Sequence, residues 1–88
     1  MYQVKYTNKF EKKLKKFDIT IQKLILRWIK KHLVCCVEPK SFGKGLIGNL
    51  KGYWRYRIGD YRLIVEIKEK ELVIIAIDID HRCRVYKK

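Results

Sequence analysis

Gly59 and Asp60 separate two runs, Tyr53 to Ile58 and Tyr61 to Ile67, in which apolar side chains recur at every second position. No other feature constrains the fold of this chain as much. Glycine at the first of two loop positions suits a type II′ turn, whose twist matches that of the strands it joins. So short a loop also sets the register. Ile58 faces Tyr61, Arg57 faces Arg62, Tyr56 faces Leu63, Arg55 faces Ile64 and Trp54 faces Val65. Successive strand side chains point to opposite faces. One face therefore collects Trp54, Tyr56, Ile58, Tyr61, Leu63, Val65 and Ile67, and the other collects Arg55, Arg57 and Arg62.

Tyr2, Val4 and Tyr6 alternate with polar neighbours and predict a short first strand. Asn8 precedes Glu11 by three positions, a capping-box start for a helix. Phe10, Leu14 and Phe17 make one apolar stripe on it, with Lys12, Lys13, Lys15 and Lys16 around the rest. Asp18 or Thr20 caps a second helix. Its expected buried face is Ile21, Leu24, Ile25, Trp28 and Ile29; it runs to about Cys35 and stops before Pro39. The short turn between them predicts an antiparallel helix pair. Residues 39–52 hold the single proline and four of the five glycines, and read as the one extended loop. Leu72 to Ile79 is apolar on both faces, as an interior strand is, and is placed between the preceding strand and the N-terminal one. The expected fold is α+β, in the order β-α-α-β-β-β. It is a four-stranded, mainly antiparallel sheet with the N-terminal helix hairpin packed on one face, a single domain over residues 1–88.

Lys and Arg number 22 against 9 Asp and Glu, a net charge of +13 on 88 residues. With 48% hydrophobic residues the chain is too apolar for a disordered basic tail. No apolar run reaches the ~18 residues that a membrane-spanning helix needs. The start Met1-Tyr2-Gln3-Val4-Lys5 lacks a signal-peptide stretch, so a cytoplasmic protein without a membrane partner is expected. Cys35, Cys36 and Cys83 form neither a CxxC pair nor a Cys/His ladder, and are expected to be thiols, not zinc ligands. The charge itself selects polyanionic partners, which include nucleic acid, membrane surfaces and acidic proteins.

Arg57 opposite Arg62 is a destabilising cross-strand pair, and Arg55 on the same face adds to the repulsion. An anion bound between them would remove that cost, and guanidinium groups match phosphate geometry. The plainer account is neutralisation by Asp60, Glu66, Asp78 or Asp80, or screening by water. His81 carries an imidazole, which can serve as a general acid or base, or simply as a surface hydrogen-bonding group. Tyr86 can stack on a base or bond a phosphate, or pack as a C-terminal aromatic. His32, on the second helix, is expected to be structural. Gly43-Lys44-Gly45 lacks the spacing of a P-loop. Asp78 and Asp80 could hold Mg²⁺ but lack a third carboxylate, so neither a metal nor another cofactor is expected. Ser41 has no His/Asp partners for acyl transfer.

The stretch from Pro39 to Ile64, PKSFGKGLIGNLKGYWRYRIGDYRLI, and the tail His81-Arg82-Cys83-Arg84-Val85-Tyr86 together resemble RelE-type toxins of bacterial toxin–antitoxin modules. The tail is similar to that family's closing H-R-x-x-V-Y motif, and the resemblance spans essentially the whole chain. It implies a ribosome-dependent endoribonuclease that cuts mRNA in the 30S A site and so inhibits translation. It implies metal-independent attack by the RNA 2′-OH on the adjacent phosphate, giving a 2′,3′-cyclic phosphate and a 5′-OH. The family's basic positions before the hairpin turn fall on Arg55 and Arg57, and the one after it on Arg62. Its tail positions fall on His81, Arg82 and Tyr86. Arg62, helped by Arg55 and Arg57, is the expected stabiliser of phosphate charge. Arg82 is expected to serve the leaving oxygen. Some relatives carry Lys where this chain has Arg55 and Arg57; because arginine stays protonated, the base here is His81 or Tyr86. Lys44, Lys51 and Arg84 are expected to bind RNA phosphates. A cognate antitoxin protein is the implied partner. Two other readings share this sequence: a gyrase inhibitor of the related ParE branch, and a nucleic-acid-binding module without catalysis.

Overall fold

The computed structural model describes residues 1–34, 37–45 and 52–81. Their elements are β1 (Gln3–Tyr6), α1 (Asn8–Lys15), α2 (Ile19–His32), a short 3-10 turn (Pro39–Phe42), β2 (Lys44–Gly45), β3 (Tyr53–Ile58), β4 (Tyr61–Lys68) and β5 (Val73–His81). One sheet contains all the strands in the order β1-β5-β4-β3-β2. β1 runs parallel to β5, and the other pairs are antiparallel. The α+β order and the interior place of β5 match expectation. The strand count does not: the sheet has five strands, because Lys44 and Gly45, expected in a loop, pair with Arg55 and Trp54.

The hairpin is as the alternation predicts. All five expected pairs occur, and a sixth joins Tyr53 to Glu66. Gly59 has a φ of +58° and Asp60 has none of the positive values, the pattern of a type II′ turn.

Two helix boundaries differ from the sequence reading. The cap of α1 is Thr7, not Asn8. Its Oγ1 accepts from the Phe10 N–H at 3.1 Å and lies 3.0 Å from the Ala76 carbonyl, to which it donates. One hydroxyl thus starts the helix and ties it to β5. Asp18 caps α2 by accepting from the Thr20 N–H. That helix closes at His32, with Leu33 as its C-cap, short of the expected Cys35; Cys35 and Cys36 lie outside the described residues. The buried stripe of α2 is Ile25 and Ile29, continued by Leu33, while Leu24 is 43% exposed. Leu24 sits about 100° around the helix from Ile25, too far to share its face.

The core lies between the helices and one sheet face. Phe10, Ile25, Ile29, Tyr56, Ile58, Leu63, Val65, Ile74 and Ile79 are all essentially inaccessible, and Phe17, Ile21, Trp28, Trp54 and Tyr61 pack around them. The β4–β5 register shifts between Ile64 and Val65, which face Asp78 and Ala76. Ile77 is the extra residue of this bulge, and it reverses the alternation of β5. Ile74 and Ala76 point to the core before it, and Ile79 does so after it. Among the described residues, no helix is long and apolar enough to cross a membrane.

Candidate functional site

The sheet face away from the helices carries the arginines. Arg57 sits in register with Arg62, and Arg62 in turn with Asp80. Arg55 lies between Lys44 on β2 and Ile64 on β4. Lys44 reaches this row because its loop is held at several points. The buried Tyr56 hydroxyl donates to the Pro39 carbonyl at 2.8 Å. Lys40 pairs with Glu69 at 2.8 Å and lies over the Trp54 ring. Gly43 passes so close to β3 that a Cβ there would stand 2.7 Å from the Arg55 carbonyl oxygen. A cleft of about 240 Å³ results, lined by Gly43, Lys44, Arg55 and Arg57. A much smaller notch beside it is bordered by Arg55, Arg57 and Arg62.

The bulge at Ile77 turns Asp78 and Asp80 onto the same face, next to the arginines. Both carboxylates are also met by lysines of α1. The Lys13 ammonium lies 2.9 Å from Asp78 and 3.5 Å from Asp80, and Lys9 approaches Asp78 at 3.5 Å. The hydrogen bond to Asp78 holds the Lys13 pKa above the usual lysine value. Asp78 and Asp80 also accept the backbone N–H of Ile79 and His81. The Lys13 ammonium group thus lies within reach of both acids considered for Mg²⁺. Among the described residues, no three His, Cys, Asp or Glu gather as metal ligands.

His81 is not brought to the arginine row. It is in register with Tyr61, and its ring meets the Tyr61 ring edge-on at 5.1 Å. Tyr61 in turn meets Phe17 at 5.2 Å, so His81 ends an aromatic row on the helix side. His32 has the structural place expected of it: it stacks on Trp28 at 4.5 Å, with Nδ1 3.1 Å from the Trp28 carbonyl oxygen. Lys51, Arg82, Arg84 and Tyr86 lie outside the described residues. Sequence reasoning missed Gly43 as a packing requirement and Lys9 and Lys13 as partners of the acids. The spacing of the two lysines, i and i+4 on one helix, was the available signal.

A small α+β domain with a cationic sheet face and a helix pair behind it defines a class. The chain belongs to the family described as ParE toxin of type II toxin–antitoxin system, parDE, which it matches over residues 4–86. It is a type II toxin of the RelE/ParE superfamily. Among individual relatives, Toxin RelG of Mycobacterium tuberculosis is 33% identical over 51 residues, 58% of this chain and 59% of that protein. The aligned part thus spans less than two thirds of that curated relative. The toxin–antitoxin complex RelBE2 from Mycobacterium tuberculosis has a chain that superposes with a TM-score of 0.83 at 28% identity, covering 92% of this chain and 91% of that one. The archaeal RelE–RelB complex from Pyrococcus horikoshii gives 0.70 at 26% identity, with 94% and 97% covered.

Proposed function

We propose that this toxin is a ribosome-dependent mRNA endoribonuclease. The 2′-OH attacks the adjacent phosphorus, the bond to the 5′-oxygen breaks, and a 2′,3′-cyclic phosphate and a 5′-OH remain. The observation that carries the proposal is the in-register set Lys44–Arg55 and Arg57–Arg62 on one sheet face. Negative charge grows on the non-bridging oxygens during this displacement, and fixed guanidinium donors stabilise it without reorganising. Arg62, on a central strand, takes the phosphate, with Arg55 and Arg57 beside it; Lys44, with Lys51 and Arg84, holds flanking phosphates. Arginine cannot accept the 2′-OH proton. With the His81 ring against Tyr61, Tyr86 becomes the preferred acceptor, and Arg82 serves the departing 5′-oxygen.

The partner proposed in the absence of RNA is a cognate antitoxin, as the names of the similar RelB–RelE complexes suggest. An acidic or amphipathic segment over the arginine face or along the helix pair would offset the +13 charge. Co-expression of the neighbouring reading frame is expected to relieve growth arrest and to co-purify with the toxin.

One observation favours a second reading: the family matched over residues 4–86 bears the ParE description. A gyrase inhibitor would use this surface to bind without cutting. Purified ribosomes with mRNA, run beside a gyrase supercoiling assay, separate the two. The expected result is mRNA cleavage with cyclic-phosphate ends and unaltered supercoiling; inhibited supercoiling with intact mRNA reverses the assignment.

A further inference from the structure

The end of β5 borders a recess that the cleavage reaction described above does not use. β1 accompanies β5 only as far as Ala76, which pairs with Tyr6. Beyond that point the lysines of α1 reach the margin of β5. A cleft of about 210 Å³ lies there, lined by Lys13, Lys16, Phe17, Ile79 and Asp80. Its apolar wall is held in place: Ile79 is buried in the core, and the Phe17 ring meets Tyr61 edge-on at 5.2 Å. Its polar groups are of two kinds. Lys13 and Lys16 donate and cannot accept, whereas the Asp80 carboxylate accepts. The Asp80 Oδ1 takes the His81 N–H at 2.8 Å, and Oδ2 lies 3.5 Å from Lys13. The shorter contact of Lys13, 2.9 Å, goes to Asp78. Asp80 thus keeps accepting capacity toward a ligand, since a carboxylate has about four lone-pair sites.

We infer that this cleft is a subsite for a guanine base of the RNA strand, with Asp80 as the residue that selects it. The inference rests on the proposed mRNA cleavage and deepens it. Unpaired bases are recognised by contact of the ring face with an aromatic side chain and by hydrogen bonds to the Watson–Crick edge. Guanine alone among the four presents two adjacent donors there, N1–H and N2–H, beside the acceptor O6. A carboxylate meets the two donors and an ammonium group meets the acceptor; Asp80 and Lys13 supply that pair side by side. Adenine and cytosine each set a ring acceptor next to a single amino donor, and uracil offers one donor between two acceptors. The position agrees with the chemistry. Asp80 is in register with Arg62, and directly opposed residues of antiparallel strands have Cα atoms about 4.5–5.5 Å apart. A base in the cleft therefore belongs to a nucleotide next to the phosphate that Arg62 holds.

The test uses the full chain on ribosomes programmed with mRNAs that carry each base in turn at the two positions flanking the cut. The wild type is expected to favour guanine over adenine at one of them by at least about tenfold in kcat/KM, the scale of one bidentate contact to a base edge. Inosine at that position lacks the N2 amino group and should be cut at least about threefold more slowly than guanine, with the protein itself untouched. Asp80→Asn should lower the guanine-to-adenine ratio by about tenfold. A shift of Arg62 in that variant changes both rates alike and leaves the ratio as it was. The variant is expected to fold, because an amide oxygen still accepts the His81 N–H and Lys13 retains Asp78; far-UV circular dichroism checks this, and the inosine comparison stands without it. Cleavage by the wild type without a guanine preference, full tolerance of inosine, or an unchanged ratio in the folded Asp80→Asn variant overturns the subsite alone. A wild-type protein that cuts no mRNA on ribosomes overturns the functional reading and this inference with it.

Discussion

The two halves of the polar sheet face treat charge in opposite ways. On the β5 side, Asp78 and Asp80 are answered by Lys9 and Lys13 reaching over from α1. On the β2–β3 side, Lys44 stands next to Arg55 and Arg57 next to Arg62, cation beside cation. Both halves belong to one sheet and differ in what packs along its margin. A helix brings lysines to the acidic half, whereas a clamped loop brings one more lysine to the basic half. The difference teaches that the cationic cluster is not a shortage of acids nearby. Asp80 is in register with Arg62, and Lys13 shares it. The helix thus limits how far the carboxylates can offset the arginines.

The largest expected effect is at the border between the halves. Arg62→Ala should lower mRNA cleavage on ribosomes by about 10²–10³-fold, the cost of losing one preorganised donor. The far-UV circular dichroism should be unchanged. Cleavage near wild type by a folded variant would remove Arg62 from the site and leave the contrast without functional meaning.

The clamp that builds the basic half comes next. Tyr56→Phe removes the buried donor to the Pro39 carbonyl and should lower stability by about 1–3 kcal/mol. Gly43→Ala, which drives a Cβ against the Arg55 carbonyl, should cost about the same through overpacking. Urea unfolding measures both. If neither destabilises, the loop is not held by these contacts and Lys44 is not fixed beside Arg55.

The acidic half should give a smaller change. Lys13→Met breaks a partly exposed ion pair, worth about 1 kcal/mol or less. Because the Lys13 pKa is raised in the folded protein, its contribution is fully present below the unfolded lysine pKa. It is lost as pH rises through the folded value. The stability difference between wild type and Lys13→Met should therefore hold through neutral pH and close in alkali. A difference that closes on acidification instead would show that the carboxylates control it. The smallest expected effect is none: chelator should leave cleavage unchanged once ribosome integrity is controlled for, since Lys13 lies within reach of both acids. Rescue by Mg²⁺ or Mn²⁺ would return Asp78 and Asp80 to the role of ligands.

The hairpin and its arginine row were legible in advance because their information is local. A two-residue turn and strict alternation leave one register, and burial of one face leaves the other to Arg55, Arg57 and Arg62. The helix stripes were legible for the same reason, apart from Phe17, which lies beyond the end of α1 at Lys15, and Leu24, where an apolar residue lies a quarter turn outside the face. The family resemblance in Pro39–Ile64 and in the tail came from the same local strings.

Tertiary structure decided what local pattern could not. In Val73–Ile77 every residue is apolar, so no alternation marks which side is inward, and only pairing with Val65 and Ile64 reveals the bulge at Ile77. That one extra residue puts Asp78 and Asp80 beside the arginines and sends His81 to Tyr61. The strand at Lys44–Gly45 is likewise set by distant contacts, since two residues pair only because Tyr56, Glu69 and the close approach at Gly43 hold their loop against β3. The sequence by itself determined which residues are cations and which share a strand face, because side-chain alternation is a property of the extended backbone. Which cations meet acids and which meet one another depended on packing between segments remote in the chain, because those energies exist only after the segments have come together.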